Sequence, residues 1–316
     1  MKNKFLQIIT VLSFLFSIFI LLSLLSCGGS EPKAEQMRSK KIRETSFIIA
    51  ILPEQNVFEQ KKKYKPLTEF LSEKLDVNVK IKLLDSYGSI YDEIRNKTID
   101  AAFFGSLNYV LTKAKTEIEP IARAVEKNGV SNYRGLIFTR KDKGITSDLM
   151  TWKNKKIALV HEVTTAGYIF PAWYLKKNGI QHFEQNFSKI VFYGSHDAAI
   201  MSVFKGDAEI GAAKDLIFEK LLSENPAMKD DLIILASSIK VPSNSLCVRS
   251  DLDDKFKQSL KKILLSLHTM QDGKHALEAL NAVKFKETKD EEYDLLRKMT
   301  EEIGININTY SFREKR

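Results

Sequence analysis

A chain of 316 residues exceeds what one hydrophobic core comfortably serves, so two lobes are expected. The formal charge of +9 comes from scattered lysines, with local clusters such as Lys40-Lys41 and Lys61-Lys62-Lys63; without a basic-aromatic stripe, nucleic acid is not an expected partner. The two cysteines are Cys27, which closes an apolar leader, and Cys247, which sits in an apolar run and reads as a small core residue, so no internal disulfide is expected.

Lys2 and Lys4 begin the leader, an apolar run follows over 5–25, and Leu24-Leu25-Ser26-Cys27 precedes Gly28-Gly29-Ser30. That ending resembles a bacterial lipoprotein signal. Residues 1–26 are then a removable signal peptide, and Cys27 becomes the lipidated first residue that anchors the protein to a membrane. The alternative is an uncleaved membrane helix, since about 20 apolar residues span a bilayer. Either way the remainder lies outside the cytoplasmic membrane. Residues 27–45 are polar and read as a tether.

The folded part opens with a strand over 46–52, stopped by Pro53, and a helix over 58–75 that Pro66 either kinks or delays. An alternating strand over 77–84 leads through Asp85-Ser86-Tyr87-Gly88-Ser89 to a short helix ending at Arg95. A strand over 99–104, a helix over 107–114 opened by Gly105-Ser106, and strands over 118–125 and 133–139 follow. The same rhythm then recurs, with strands over 157–161, 189–193, 208–212, 232–236 and 245–249, and mostly helix from 251 onward. Strands alternating with helices predict an α/β fold with largely parallel sheets. A shift of 109 residues lays Tyr87 on His196, Ile99 on Ala208, Asp100 on Glu209 and Ser106 on Asp215, an echo that suggests two lobes of like architecture.

The stretch 157–179 carries the clearest chemistry. The apolar strand Ile157-Ala158-Leu159-Val160-His161 runs into Glu162-Val163-Thr164-Thr165-Ala166-Gly167-Tyr168. A helix follows that closes on Lys176-Lys177-Asn178-Gly179. Bare N–H groups at a helix start attract anions, and two adjacent hydroxyls beside small residues reinforce them. An anion seat is one reading; ordinary N-capping by threonine is the other. Ligands in such sheets sit beyond the carboxyl ends of strands, which gathers the Tyr87 turn, Ser106, the Thr164 turn, the His196 turn and Asp215 into one cleft. What these turns share is donors suited to a compact oxyanion. Nucleophile elbows, P-loops, dinucleotide fingerprints and metal-ligand spacings are missing from the sequence, so no catalytic residue, cofactor or metal is expected.

Four segments together resemble the phosphonate/phosphite-type substrate-binding proteins of ABC transporters: Tyr87 before the helix from Tyr91 to Arg95; Ile99-Asp100-Ala101-Ala102-Phe103-Phe104-Gly105; Thr164-Thr165-Ala166-Gly167-Tyr168 with Phe170-Pro171; and Gly194-Ser195-His196-Asp197-Ala198. The resemblance spans nearly the whole chain after the leader. It implies a two-lobed periplasmic-binding-protein fold of the type II kind, each lobe a mixed sheet flanked by helices, closing on a phosphonate, phosphite or phosphate between them. The expected division is 46–139 with 238–316 as one lobe and 140–237 as the other. The family's hydroxyl-rich helix start falls on Thr164, Thr165 and Ala166; its tyrosines match Tyr87 and Tyr133, its histidine His196 and its downstream acid Asp215.

Two departures accompany the match. Ala166 stands where a hydroxyl residue is usual, and the return segment reads Pro242-Ser243-Asn244-Ser245. With Asn244 in place of an acid that would meet an amino group, phosphate, phosphite or a plain alkylphosphonate is favoured over an aminoalkylphosphonate. The implied partners are ABC permease subunits, with the protein a monomer. A sensory receptor on the same module, and an enzyme on the same fold, are the competing readings.

Overall fold

The computed structural model describes residues 46–312, so the leader, Cys27 and the tether lie outside the described residues. The first lobe is laid down by β1 (Ser46–Ile51), α1 (Val57–Leu75), β2 (Asn78–Leu83), α2 (Ser89–Arg95), β3 (Ala101–Phe104), α3 (Ser106–Lys113) and β4 (Ile118–Glu126). Asn56 starts α1 by accepting the N–H groups of Phe58 and Glu59 at 2.9 and 3.4 Å, and Asp76 ends it in the left-handed region at φ 53°. Pro66 lies inside this single element, which buries Tyr64, Leu67, Phe70 and Leu71.

A short strand, β5 (Asn132–Tyr133), leads into β6 (Gly135–Arg140) and β7 (Lys156–Leu159), then α4 (Phe170–Lys177) and β8 (Lys189–Phe192). After α5 (His196–Phe204) and β9 (Ile210–Lys214) come two consecutive helices, α6 (Asp215–Glu224) and α7 (Pro226–Asp231), and then β10 (Leu232–Ser237). β11 (Val241–Pro242) pairs antiparallel with β5, and β12 (Ser245–Arg249) follows. α8 (Asp254–Ser266), α9 (Gln271–Ala279), β13 (Ala282–Glu287) and α10 (Asp294–Glu302) complete the chain.

Two sheets result. The first runs β13-β4-β12-β3-β1-β2 and the second β10-β6-β9-β7-β8. Pairing is parallel at β1/β2, β1/β3, β7/β8 and β7/β9, and antiparallel elsewhere, so the expectation of largely parallel sheets holds only where helices cross between strands. The triplet β3-β1-β2 is repeated as β9-β7-β8, which is the architecture behind the 109-residue echo. Each sheet also takes in a strand from beyond the crossing: β12 sits beside β3 as β6 sits beside β9.

That exchange corrects the expected lobe boundary. Residues 135–139, expected in the first lobe, belong to β6, which pairs with β9 and β10 in the second sheet. The chain crosses at the β5–β11 ribbon instead, because a strand next to a crossing can pair on either side and periodicity alone does not choose. β13 is a second departure from expectation, in a region read as helical. Its sequence Ala-Val-Lys-Phe-Lys-Glu buries only Ala282 and Phe285 and pairs with β4 at the sheet edge.

Sheet one packs against α1, α8 and α9 through Ile49, Leu67, Leu71, Phe103, Leu246, Leu260 and Leu264, all close to fully buried. Cys247 is fully buried in a second cluster, and burial pushes its thiol well above the ordinary range, so it is a core residue as expected. α10 lies against both α3 and α4. Trp173 on α4 donates to Glu302 at 2.6 Å, and beyond α10 the Phe312 ring stacks on Tyr91 at 4.9 Å.

Candidate functional site

The carboxyl ends of β1, β3, β7 and β9, with the Tyr87 turn after β2 and the His196 turn after β8, converge on one narrow, partly open cavity. Its wall includes eight of the nine expected residues: Tyr87, Ser106, Tyr133, Thr164, Thr165, Ala166, His196 and Asn244. Asp215 is not among them. It is the first residue of α6, where its Oδ1 accepts the Leu216 N–H at 2.8 Å and its own N–H donates to the Arg134 carbonyl at 2.9 Å. Successive side chains diverge at a strand end, so it is Lys214, one residue earlier, that enters the cavity.

The Thr165 turn is built by an unusual helix start. Residues Thr165–Ile169 form a wide π-type turn, and the α-helix proper begins at Phe170 with Pro171 in its first turn, which explains why that proline looked late. Gly167 permits this turn to lie on the strand end, since a Cβ there would stand 2.4 Å from Cβ of Val160. Thr165 Oγ1 accepts the Leu107 N–H from the start of α3 at 3.1 Å, tying the two lobes together. The Tyr133 hydroxyl lies within hydrogen-bond reach of Thr165 and Ser106. Two expected donors are otherwise engaged: Thr164 gives its hydroxyl proton to the His161 carbonyl at 2.6 Å, and Ser106 gives its own to the Pro242 carbonyl at 2.6 Å.

His196 opens α5 behind Ser195, whose hydroxyl accepts the Ala198 N–H at 3.3 Å. Its Nδ1 accepts the Lys214 N–H at 3.2 Å, which leaves Nε2 as the protonated nitrogen of the neutral ring. Burial dominates its titration and moves the imidazole from 6.5 down to about 4, despite the nearby Glu54 carboxylate. The ring is therefore a neutral N–H donor at physiological pH. Because the unfolded chain holds the proton more tightly than the folded one, stability rises with pH between about 4 and 6.5 and is lost as pH falls through that window. A His196→Asn variant is expected to lose up to about 3 kcal/mol of that acid sensitivity, read as the difference between the two proteins' urea midpoints at pH 7 and pH 4.5. Parallel pH dependences would contradict a buried neutral ring.

Sequence reasoning missed the charges. Lys214 Nζ donates to Glu54 Oε1 at 3.1 Å and to Asn244 Oδ1 at 3.0 Å, and lies 4.7 Å from the centre of the Tyr133 ring. The side chains of Lys214 and Glu54 are only 6% and 16% exposed. Burial would neutralise both, but each holds the other charged: the Lys214 amine stays above its usual range and the Glu54 carboxyl below its own. A signal did exist, for a lysine closing the apolar run Ile210-Gly211-Ala212-Ala213 has little reason to be there unless its charge is used.

Glu54 belongs to a three-residue clasp between β1 and α1. Its carbonyl accepts the His196 N–H at 3.0 Å, Gln55 Oε1 accepts from Lys220 Nζ at 3.0 Å, and the Asn56 N–H donates to Asp197 Oδ2 at 3.0 Å. Every partner lies in the second lobe, so the two lobes are drawn together over the cavity.

Residues 49–293 match the family of periplasmic substrate-binding proteins of phosphonate ABC transporters. The chain belongs to this family. It is the substrate-binding component of a phosphonate-type ABC transporter, and the components of this family are periplasmic. A probable ABC transporter phosphite binding protein, PhnD1, of Prochlorococcus marinus is 26% identical over 283 residues, covering 82% of this chain and 89% of the relative. The phosphate-import protein PhnD of Mycolicibacterium smegmatis is 24% identical over 211 residues, 65% of either chain. The structure of PhnD1 from Prochlorococcus marinus in complex with methylphosphonate matches with a TM-score of 0.74 at 23% identity, over 82% of this chain and 98% of that one. The expected two-lobed fold is thereby shown, and with it the family resemblance carried by the four sequence segments.

Proposed function

We propose that this protein captures a small phosphorus oxyanion in the cavity between its lobes, with Tyr87, Thr165, Ala166, His196 and Lys214 supplying the donors. The observation that carries this reading is Tyr87. It is 2% exposed, its hydroxyl has no hydrogen-bond partner among the described residues, and burial keeps it protonated. A buried hydroxyl left without a partner is costly unless something completes it, and an oxyanion oxygen would do so. His196 lies across from it, with ring centres 6.3 Å apart and Nε2–H available. Tyr133, Ser106, Thr164 and Asn244 act as the supporting wall, whereas Asp215 holds its own helix start and is not a ligand contact.

Lys214 also bears on the choice of ligand. A buried ammonium beside the seat attracts an oxyanion and repels an amino substituent, and Asn244 is spent as the acceptor for Lys214. Phosphite, phosphate and methylphosphonate are therefore the favoured cargo, ahead of 2-aminoethylphosphonate. The anchor at Cys27, delivery to a permease and a monomeric state complete the reading.

The test is calorimetric titration of Tyr87→Phe beside the natural protein. Loss of a hydrogen bond to a charged ligand should weaken phosphite and methylphosphonate binding by roughly ten- to a hundredfold, while thermal stability without ligand holds or rises. Unchanged affinity would move the oxyanion elsewhere.

A further inference from the structure

A second, partly open chamber adjoins the oxyanion cavity and shares Glu54, Lys214 and Asn244 with it. Phe103, Leu280 and Phe285 give it an apolar side. Its polar side includes Ser243, in the return segment between β11 and β12. Ser243 is 9% exposed and its hydroxyl has no partner among the described residues. The backbone of that residue is satisfied, since its N–H donates to the Ser131 carbonyl at 3.0 Å and its carbonyl accepts from Ser245 Oγ at 3.1 Å. The hydroxyl alone is left over, and it faces a space that has no other evident use.

Charge decides what would fill that space. Lys63 and Lys214 both line the chamber, and Lys63 forms no ion pair within 4.0 Å among the described residues. Glu54 is already engaged by Lys214. Burial raises the carboxyl of Glu126, which lines both this chamber and the neighbouring open groove, and lowers the amine of Lys63.

We infer that this chamber is a subsite for the substituent of a larger ligand: a short alkyl chain on phosphorus ending in a carboxylate. The chain lies against Phe103, Leu280 and Phe285, and the carboxylate accepts from the Ser243 hydroxyl and the Lys63 ammonium. The inference rests on the first cavity being the oxyanion seat. It extends the cargo from bare oxyanions to carboxyalkylphosphonates, and it makes Ser243 and Lys63 specificity residues.

The experiment is calorimetry on the natural protein, Ser243→Ala and Lys63→Gln, each titrated with phosphite, methylphosphonate, 3-phosphonopropionate and 2-aminoethylphosphonate. The natural protein should bind 3-phosphonopropionate at least tenfold tighter than the amine. Ser243→Ala should weaken 3-phosphonopropionate by roughly ten- to a hundredfold, the loss of one hydrogen bond to a charged group, and Lys63→Gln by at least as much, with phosphite and methylphosphonate held within twofold in both. Removing an unpartnered buried hydroxyl leaves the melting temperature unchanged or higher, so lost affinity cannot be mistaken for unfolding. Equal affinity for the two substituted ligands, tighter binding of the amine, or variants that weaken all four ligands alike would overturn the subsite while leaving the oxyanion seat intact. Failure of the natural protein to bind any of the four removes the seat, and the subsite with it.

Discussion

Lys214→Met is expected to weaken phosphite and methylphosphonate binding by about 2–5 kcal/mol, which is roughly thirty- to several-thousandfold in Kd. Two effects act in the same direction. The variant removes the Lys214 ammonium from the cavity wall, and it strands the Glu54 carboxylate in the same wall, where it would repel an incoming anion. Burial, which the natural pair overcomes together, would then act on Glu54 alone and push its carboxyl up. The protein itself should also lose roughly 3 kcal/mol, the usual consequence of breaking a buried pair from one side.

A second substitution separates these contributions. Glu54→Gln added to Lys214→Met takes away the stranded charge, so urea unfolding should recover most of the lost stability. Affinity should recover only in part, because the cation is still missing. Full recovery of affinity would mean that Lys214 serves Glu54 and not the ligand. Recovery of neither would mean that the clasp, through the Glu54 carbonyl and the His196 N–H, depends on the Glu54 carboxylate itself.

Most of the residues that line the candidate cavity were legible in the sequence because they belong to turns. Thr164-Thr165-Ala166-Gly167 and Gly194-Ser195-His196-Asp197 follow apolar strands, and the chain has to turn at the carboxyl ends where ligands bind, so local pattern and tertiary position coincide. Lys214 and Glu54 were not legible, because a buried ion pair depends on two segments 160 residues apart meeting face to face. Only the contrast between a lysine and its apolar strand pointed that way. Asp215 misled for a related reason: a carboxylate at a helix start serves equally well as a cap or as a ligand contact, and one residue of register decides which side chain enters the cavity. The lobe boundary failed at β6, whose partners lie across the crossing and leave no trace in its own hydrophobic pattern. β13 escaped because an edge strand that buries only two of its six residues has no strong period to read.

Glu292→Gln is expected to destabilise the protein more than Arg123→Met does, although Glu292 is the more exposed partner. Arg123 projects from β4 with its side chain 1% exposed, and Glu292 is 31% exposed. The guanidinium donates to the Ser131 carbonyl at 2.9 Å, to Thr288 Oγ1 at 3.0 Å and to Glu292 Oε1 at 2.8 Å, with a further bond to Glu292 Oε2. It thereby ties the segment leading into the β5 ribbon, where the chain crosses between lobes, to the turn before α10. A guanidinium cannot shed its proton at any ordinary pH, so removing the carboxylate leaves a full charge buried among neutral acceptors. That should cost roughly 3 kcal/mol, the low end for a broken buried pair, because Glu292 is partly hydrated. Arg123→Met leaves Glu292 with access to water and with Lys286 at 3.9 Å, while an unbranched apolar side chain fills the space, so about 1–2 kcal/mol is expected. Urea unfolding of the two variants decides the order. If Arg123→Met proves the worse, the crossing is held by the arginine's hydrogen bonds and packing, and the charge on Glu292 is incidental. If the expected order holds, Glu292→Gln should also weaken phosphite binding without touching the seat, since a loosened crossing lowers the fraction of molecules with both lobes in the binding geometry.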